Sequence, residues 1–148
     1  MIEPFRDVLV EMNAAGARFL VVGAHALAAH GVPRVTGDLD LWVERSPDNA
    51  MRVWLALVAF GAPFESLGVQ AQDFEAPDRV VQLGLPPYRI DVLTDIFAVA
   101  FEDAWPQRVP GVMFGVSVAF LGRADLLRNK RASARPRDIE DVRRRGGQ

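Results

Sequence analysis

Val22-Gly23-Ala24-His25-Ala26-Leu27-Ala28-Ala29-His30-Gly31-Val32-Pro33-Arg34-Val35-Thr36-Gly37-Asp38-Leu39-Asp40-Leu41 is the stretch on which the reading of this chain turns. Its second half alternates. Leu39 and Leu41 fall on one side of an extended segment and Asp38 and Asp40 on the other, the two carboxylates roughly 7 Å apart along the strand. The pattern predicts a strand over residues 35–44 with one apolar and one wet face. The first half continues an apolar, β-forming run from Arg18 to Val22 that ends at Gly23, after which an alanine-rich segment over 24–30 closes at Gly31. That reads as strand, tight turn and short helix, and Pro33 stops the helix from running on.

Working outward, Phe5, Val8, Leu9 and Met12 recur at helical spacing between Pro4 and Ala15. Ser46-Pro47-Asp48 has the form of a helix start, with apolar residues following down to a stop at Gly61. Residues 62–78 keep no period and read as loop with a short helix. Strands are expected over 79–85 and 88–93, parted by Pro86-Pro87, then a helix over 97–105 and a hairpin of 109–113 and 116–120 about Gly115. Helices over 124–134 and 137–145, broken at Pro136, end the chain. The expected fold is α/β (α+β): a small mixed sheet flanked by helices, in one domain spanning residues 1–148 with a basic helical segment over 122–148.

Composition narrows the possibilities. With 148 residues, 50% hydrophobic and 24% charged, the chain can bury about two-thirds of its unfolded surface, which excludes disorder for most of it. The net charge of −2 advertises no polyanionic partner. It is unevenly spread, however: residues 122–148 hold nine basic and four acidic side chains, against eight and fifteen in the rest. The basic segment either solvates a helix face or contacts phosphate or nucleic acid. The absence of cysteine excludes a disulfide scaffold, thiolate-bound zinc and a thiol nucleophile, and fits a cytoplasmic setting. Glu3, Arg6 and Asp7 near the start speak against a secretory signal, and no apolar run of about 20 residues is present to cross a membrane. Gly-x-Ser-x-Gly, Walker-type and Rossmann glycine patterns are also missing, which removes the sequence support for hydrolase, P-loop and dinucleotide readings.

The carboxylates carry the chemistry. Asp38 and Asp40 repel each other and need a counter-charge, and hard oxygen donors suit one or two magnesium ions better than zinc or copper. Asp91, between Ile90 and Val92, also points away from an apolar face; if its strand lies beside the first, three carboxylates converge. The turn at Gly23 lets backbone approach a phosphate, and the helix from Ala24 offers free N–H groups. Together these describe a seat for a metal-bound triphosphate. Singly, each is ordinary: a surface acidic pair, a turn glycine, a solvated strand residue. His25 at the turn either reaches phosphate or packs, and its five-residue spacing from His30 argues against a zinc pair on one helix face. Arg34 and Thr36 alternate onto the Asp38 face, where Arg34 meets phosphate or carboxylate or forms a structural ion pair. Trp42, Trp54 and Trp105 read as core.

The stretch from Val22 to Leu41 resembles the nucleotidyltransferases of the polymerase-β-like superfamily, in particular the small stand-alone bacterial group akin to minimal nucleotidyltransferases and abortive-infection-type toxins. Ser46-Pro47-Asp48-Asn49, the strand with Asp91, and the ending from Lys130-Arg131 to Asp141-Val142 are similar to that group as well. The resemblance implies Mg²⁺-dependent (or Mn²⁺-dependent) transfer of a nucleoside monophosphate from an NTP to an acceptor hydroxyl on RNA, protein or a small molecule. It implies metal ligation by Asp38, Asp40 and Asp91, with Asp91 also drawing the acceptor proton. It places Gly23, Ala24, His25, Arg34, Thr36 and Lys130 about the nucleotide, Lys130 toward the triphosphate. In one respect the chain departs: the superfamily's Gly-Ser pair is here Gly23-Ala24, which keeps backbone contacts and loses a hydroxyl. The alternative implied is a nucleotide-binding module without transfer, acting with a partner protein in a toxin–antitoxin pair.

Overall fold

The computed structural model describes residues 3–32 and 37–133. Helix α1 (Glu3–Ala14) leads through a turn into strand β1 (Phe19–Val22), helix α2 (Gly23–Ala29) and strand β2 (Leu39–Val43). Helix α3 (Pro47–Phe60) and the short α4 (Phe64–Leu67) precede strands β3 (Val80–Leu83) and β4 (Ile90–Leu93). A single-turn helix α5 (Phe101–Ala104), the hairpin β5 (Val109–Met113) and β6 (Val116–Phe120), and helix α6 (Arg123–Ser133) complete it. The fold is α/β, with six strands ordered β3-β4-β2-β1-β6-β5 in one mixed sheet flanked by helices. β2 runs parallel to β4 and β1 parallel to β6, while β1–β2, β3–β4 and β5–β6 are antiparallel.

Local chemistry explains the elements. Ser46 caps α3 by accepting from the Asn49 N–H at 3.2 Å, and Pro47 fills the first turn where its missing N–H is harmless. Gly61 ends the helix in the left-handed region (φ 100°). Sheet register then sorts side chains onto two faces. Phe19, Val21, Leu39, Leu41, Val43, Ile90, Val92, Val81 and Leu83 share one face and are buried with the apolar stripes of α1 and α3. The other face carries the row Val22, Asp40, Asp91 and Gln82, followed by the row Leu20, Trp42, Leu93 and Val80. This second face is only partly covered: Trp42 is sealed by Phe101 of α5, rings 5.0 Å apart, whereas Val80 and Gln82 remain exposed. No helix among the described residues is long and apolar enough to cross a membrane.

Two expectations need correction. The helix expected over 97–105 is confined to Phe101–Ala104 and a 3-10 turn over Trp105–Gln107. Ala98 sits in the left-handed region (φ 65°) and Ile96 bridges Val99, so the backbone there is a tight turn that cannot propagate a helix. The loop over 62–78 holds the short helix expected there, α4, together with a 3-10 turn over Ala71–Phe74; Phe64 stacks on Trp54 and Phe74 packs against Phe64. The strand expected over 35–44 is seen from Leu39 to Val43; the final helix over 137–145, Arg34 and Thr36 lie outside the described residues.

Asn49 is the polar linchpin that periodicity does not announce. It is 2% exposed, accepts the Arg18 N–H at 2.6 Å, and donates to the carbonyls of Arg18 (3.0 Å) and Glu44 (2.8 Å). Asn49→Leu fills the space but strands those backbone groups, so a loss of about 2–3 kcal/mol in urea unfolding is expected. A change below about 0.5 kcal/mol would show that water satisfies them instead.

Candidate functional site

The parallel pairing of β2 with β4 sets Asp40 directly opposite Asp91, and the antiparallel pairing of β1 with β2 sets Val22 opposite Asp40. The Gly23 turn therefore lies over the acidic row. Its φ of 70° is left-handed, and a Cβ there would be driven into the Asp40 carboxylate. Glycine is demanded twice over, by conformation and by space. His25 follows on α2: its Nε2 lies 3.4 Å from the Gly37 carbonyl, its ring packs edge-on against Phe5 and Phe114, and burial lowers its pKa. The structure thus shows His25 tying the turn to the segment before β2.

Asp40 and Asp91 face each other closely enough for their side chains to interact, a contact that raises the Asp40 carboxyl and lowers that of Asp91. Burial, aided by Asp91 and Asp38, pushes the Asp40 carboxyl up to about 7. Asp91 is also raised by burial, against the pull of Arg89. Asp38, just ahead of β2, is held differently: Arg89 Nη2 donates to its Oδ2, and Arg89 Nε stands 3.4 Å from Asp91 Oδ1. Asp91 Oδ1 and Arg89 Nε are both buried without a hydrogen-bond partner. Among the described residues no group of three or more His, Cys, Asp or Glu is arranged to hold a metal ion. The carboxylates nevertheless form the right donor set for a hard divalent ion, and the orphaned Asp91 oxygen keeps acceptor capacity that no group among the described residues uses.

Beside the acidic row opens a cleft of about 350 Å³. Gly23 and Asp40 line it together with Val80 and Leu93 of the adjoining sheet row, and Arg79, Asp95, Ile96, Phe97 and Asn129 are among its other lining residues. Phe97 is 65% exposed, its backbone carbonyl accepting from Asn129 Nδ2 at 3.1 Å. Asp95 is pinned by the Asp78 N–H at 2.8 Å and by Arg45 at 3.7 Å. The buried Thr94 accepts the Arg79 N–H through its hydroxyl at 2.9 Å. Lys130 follows Asn129 on α6 and is exposed; Ala24, next to Gly23, brings no side-chain donor.

Sequence reasoning left Arg89, Phe97 and Asn129 without roles. Arg89 was within reach, since it lies two residues before Asp91 and so shares its face by strand alternation. Phe97 and Asn129 had no signal, because they meet only through the placement of α6 on the open face.

A solved structure shares this architecture: a "putative nucleotidyltransferase" from Thermotoga maritima superposes with a TM-score of 0.65 over 97% of this chain and 94% of that one, at 16% identity. At that identity the likeness is one of fold. No protein-family model and no curated protein matches the chain in sequence.

Proposed function

We propose that the protein is a divalent-metal-dependent nucleotidyltransferase that moves a nucleoside monophosphate from an NTP to an acceptor hydroxyl. The observation that carries the reading is the row in which Asp40 lies opposite Asp91 beneath the Gly23 turn, at the edge of a cleft large enough for a nucleotide. Asp40 and Asp91, with Asp38 joining them, would hold Mg²⁺ or Mn²⁺, which supplies neutralisation of phosphate charge when bound. The chain's own residues do the rest. Backbone at Gly23 approaches the phosphates without a side chain between, and Lys130 is assigned to the triphosphate from the direction of α6. Asp91 takes the acceptor proton as the acceptor oxygen bonds to the α-phosphorus and the bond to the departing pyrophosphate breaks. Positioning of the reactants, rather than attack by a protein group, is the larger contribution to such a reaction.

Phe97 is the exposed aromatic of the cleft, and we assign it to stack the base. Phe97→Ala is expected to weaken NTP binding about ten-fold in a titration, within the 1–3 kcal/mol of a base–aromatic stack, with stability unchanged. Unaltered affinity would place the base elsewhere.

The reading itself is tested by incubating the protein with each α-labelled NTP, Mg²⁺, and RNA or protein extract. Labelled macromolecule is expected, and Asp38→Asn combined with Asp40→Asn should abolish it. A second reading draws on Ala24 in place of a hydroxyl and on Asp38 being held by Arg89: a nucleotide-binding module without transfer, acting with a partner protein of a toxin–antitoxin pair. Tight NTP binding with no label transferred to any acceptor favours it.

A further inference from the structure

We infer that Arg89 is the built-in cation of this acidic site, a positioning residue that a divalent ion must displace from Asp38 before it can bind. The inference rests on the metal-dependent reading above and adds the order in which the site fills. Arg89 lies two residues before Asp91, on the same face of β4, and its guanidinium reaches across to Asp38, 51 residues away in the chain. It therefore stands between the first and third carboxylates, with Asp38 and Arg89 about one-third exposed and Asp91 only 13% exposed. Arg89 offsets the charge of three acidic side chains that crowd one end of two neighbouring strands, and among the described residues it is the cation paired with Asp38 and Asp91.

The fit is incomplete, and this is informative. Arg89 Nη2 makes a hydrogen bond to Asp38, but Arg89 Nε and Asp91 Oδ1, 3.4 Å apart, leave each other unsatisfied although both are buried. A guanidinium that served the fold alone would gain most by meeting both carboxylates in fork geometry. Here one half of the contact is charge without a hydrogen bond, so the arrangement holds the carboxylates together yet stays displaceable. A divalent ion drawn to these carboxylate oxygens at about 2.0–2.1 Å competes with the guanidinium for the same negative charge and is repelled by it, so ion binding and the Arg89–Asp38 pair oppose each other. A nucleotide changes the balance, because its phosphates offer the released guanidinium a new anionic partner. Metal alone should bind weakly, and metal with NTP strongly.

Mn²⁺ alone is the probe. Its affinity is measured by electron paramagnetic resonance near pH 8, where exposed carboxylates are ionised, for the wild type, Arg89→Met and Arg89→Lys. Arg89→Met is expected to bind Mn²⁺ about ten-fold more tightly, a modest share of what removing a unit charge some 4 Å away is worth at a protein surface. Arg89→Lys keeps the charge but loses the fork, and should stay within a few-fold of wild type. The metal-free melting temperature of Arg89→Met should fall and be recovered by Mn²⁺. A purely structural role predicts the fall in melting temperature with Mn²⁺ affinity equal or weaker, and that result overturns the inference while leaving the metal-dependent reading intact. If Arg89→Met does not fold, Arg89→Gln is measured in its place against the same expectation. Failure of the wild type and every variant to bind Mn²⁺ at millimolar concentration overturns both.

Discussion

Asp91→Asn is expected to cut nucleotide transfer by at least about 100-fold while changing NTP affinity only a few-fold. The substitution is nearly isosteric, so the β2–β4 pairing and the cleft keep their shape. What it removes is the carboxylate oxygen that the fold keeps buried and unpartnered beside the acidic row. An amide still reaches Asp40 but can neither take a proton from an acceptor hydroxyl nor balance a cation. In the proposed reading binding rests on the glycine turn, Phe97 and the remaining carboxylates, so the two measurements separate: single-turnover transfer of α-labelled nucleotide should collapse, and calorimetric NTP binding should not. Transfer that survives Asp91→Asn unchanged would take the proton-accepting role away from this residue.

Stability should fall as pH rises, the reverse of the usual acid sensitivity. Burial pushes the Asp40 carboxyl up to about 7 in the folded protein, against the ordinary 3.8 of the unfolded chain. Between these pH values the folded state holds a proton that the unfolded state has released, so raising the pH favours unfolding. The stabilisation is complete below about pH 4 as far as this group is concerned and is lost by about pH 7. The difference between these two values is worth about 4 kcal/mol at most, and because Asp40 is partly open to solvent about half of that, some 2 kcal/mol, is the expected effect. Metal-free wild type measured by urea unfolding should therefore lose about 2 kcal/mol from pH 4 to pH 8 beyond the drift of Asp40→Asn, which carries its hydrogen bond at every pH. Mg²⁺ should restore the loss near pH 8, where the ion replaces the proton as the counter-charge, and Asp38→Asn with Asp40→Asn should erase that response. Parallel pH profiles for wild type and Asp40→Asn would mean that Asp40 is ionised in the folded protein throughout.

Much of the architecture was legible in the sequence because its signals are local. Leu39 and Leu41 are fully buried and Asp40 faces away from them, as a period of two requires. Ser46 and Gly61 bound α3 because an N-cap hydroxyl and a left-handed glycine act within a turn of their own position. Phe5, Val8, Leu9 and Met12 line the buried face of α1 for the same reason, and Gly115 turns the β5–β6 hairpin. The approach of Asp91 to Asp40 was conditional, since alternation tells which face a side chain takes but not which strands are neighbours. Only tertiary structure decided that β4 pairs in parallel with β2, at the register that sets Asp40 against Asp91 and brings Arg89 to Asp38. Ala98 likewise turned left-handed where composition favoured a helix, leaving Phe97 exposed with its carbonyl accepting from Asn129 of α6. The physical division is one of range. Caps, turns and alternation are settled by neighbours within a few residues, whereas strand order, the half-covered sheet face and the raised pKa of Asp40 arise from burial and charge among groups that share no stretch of chain.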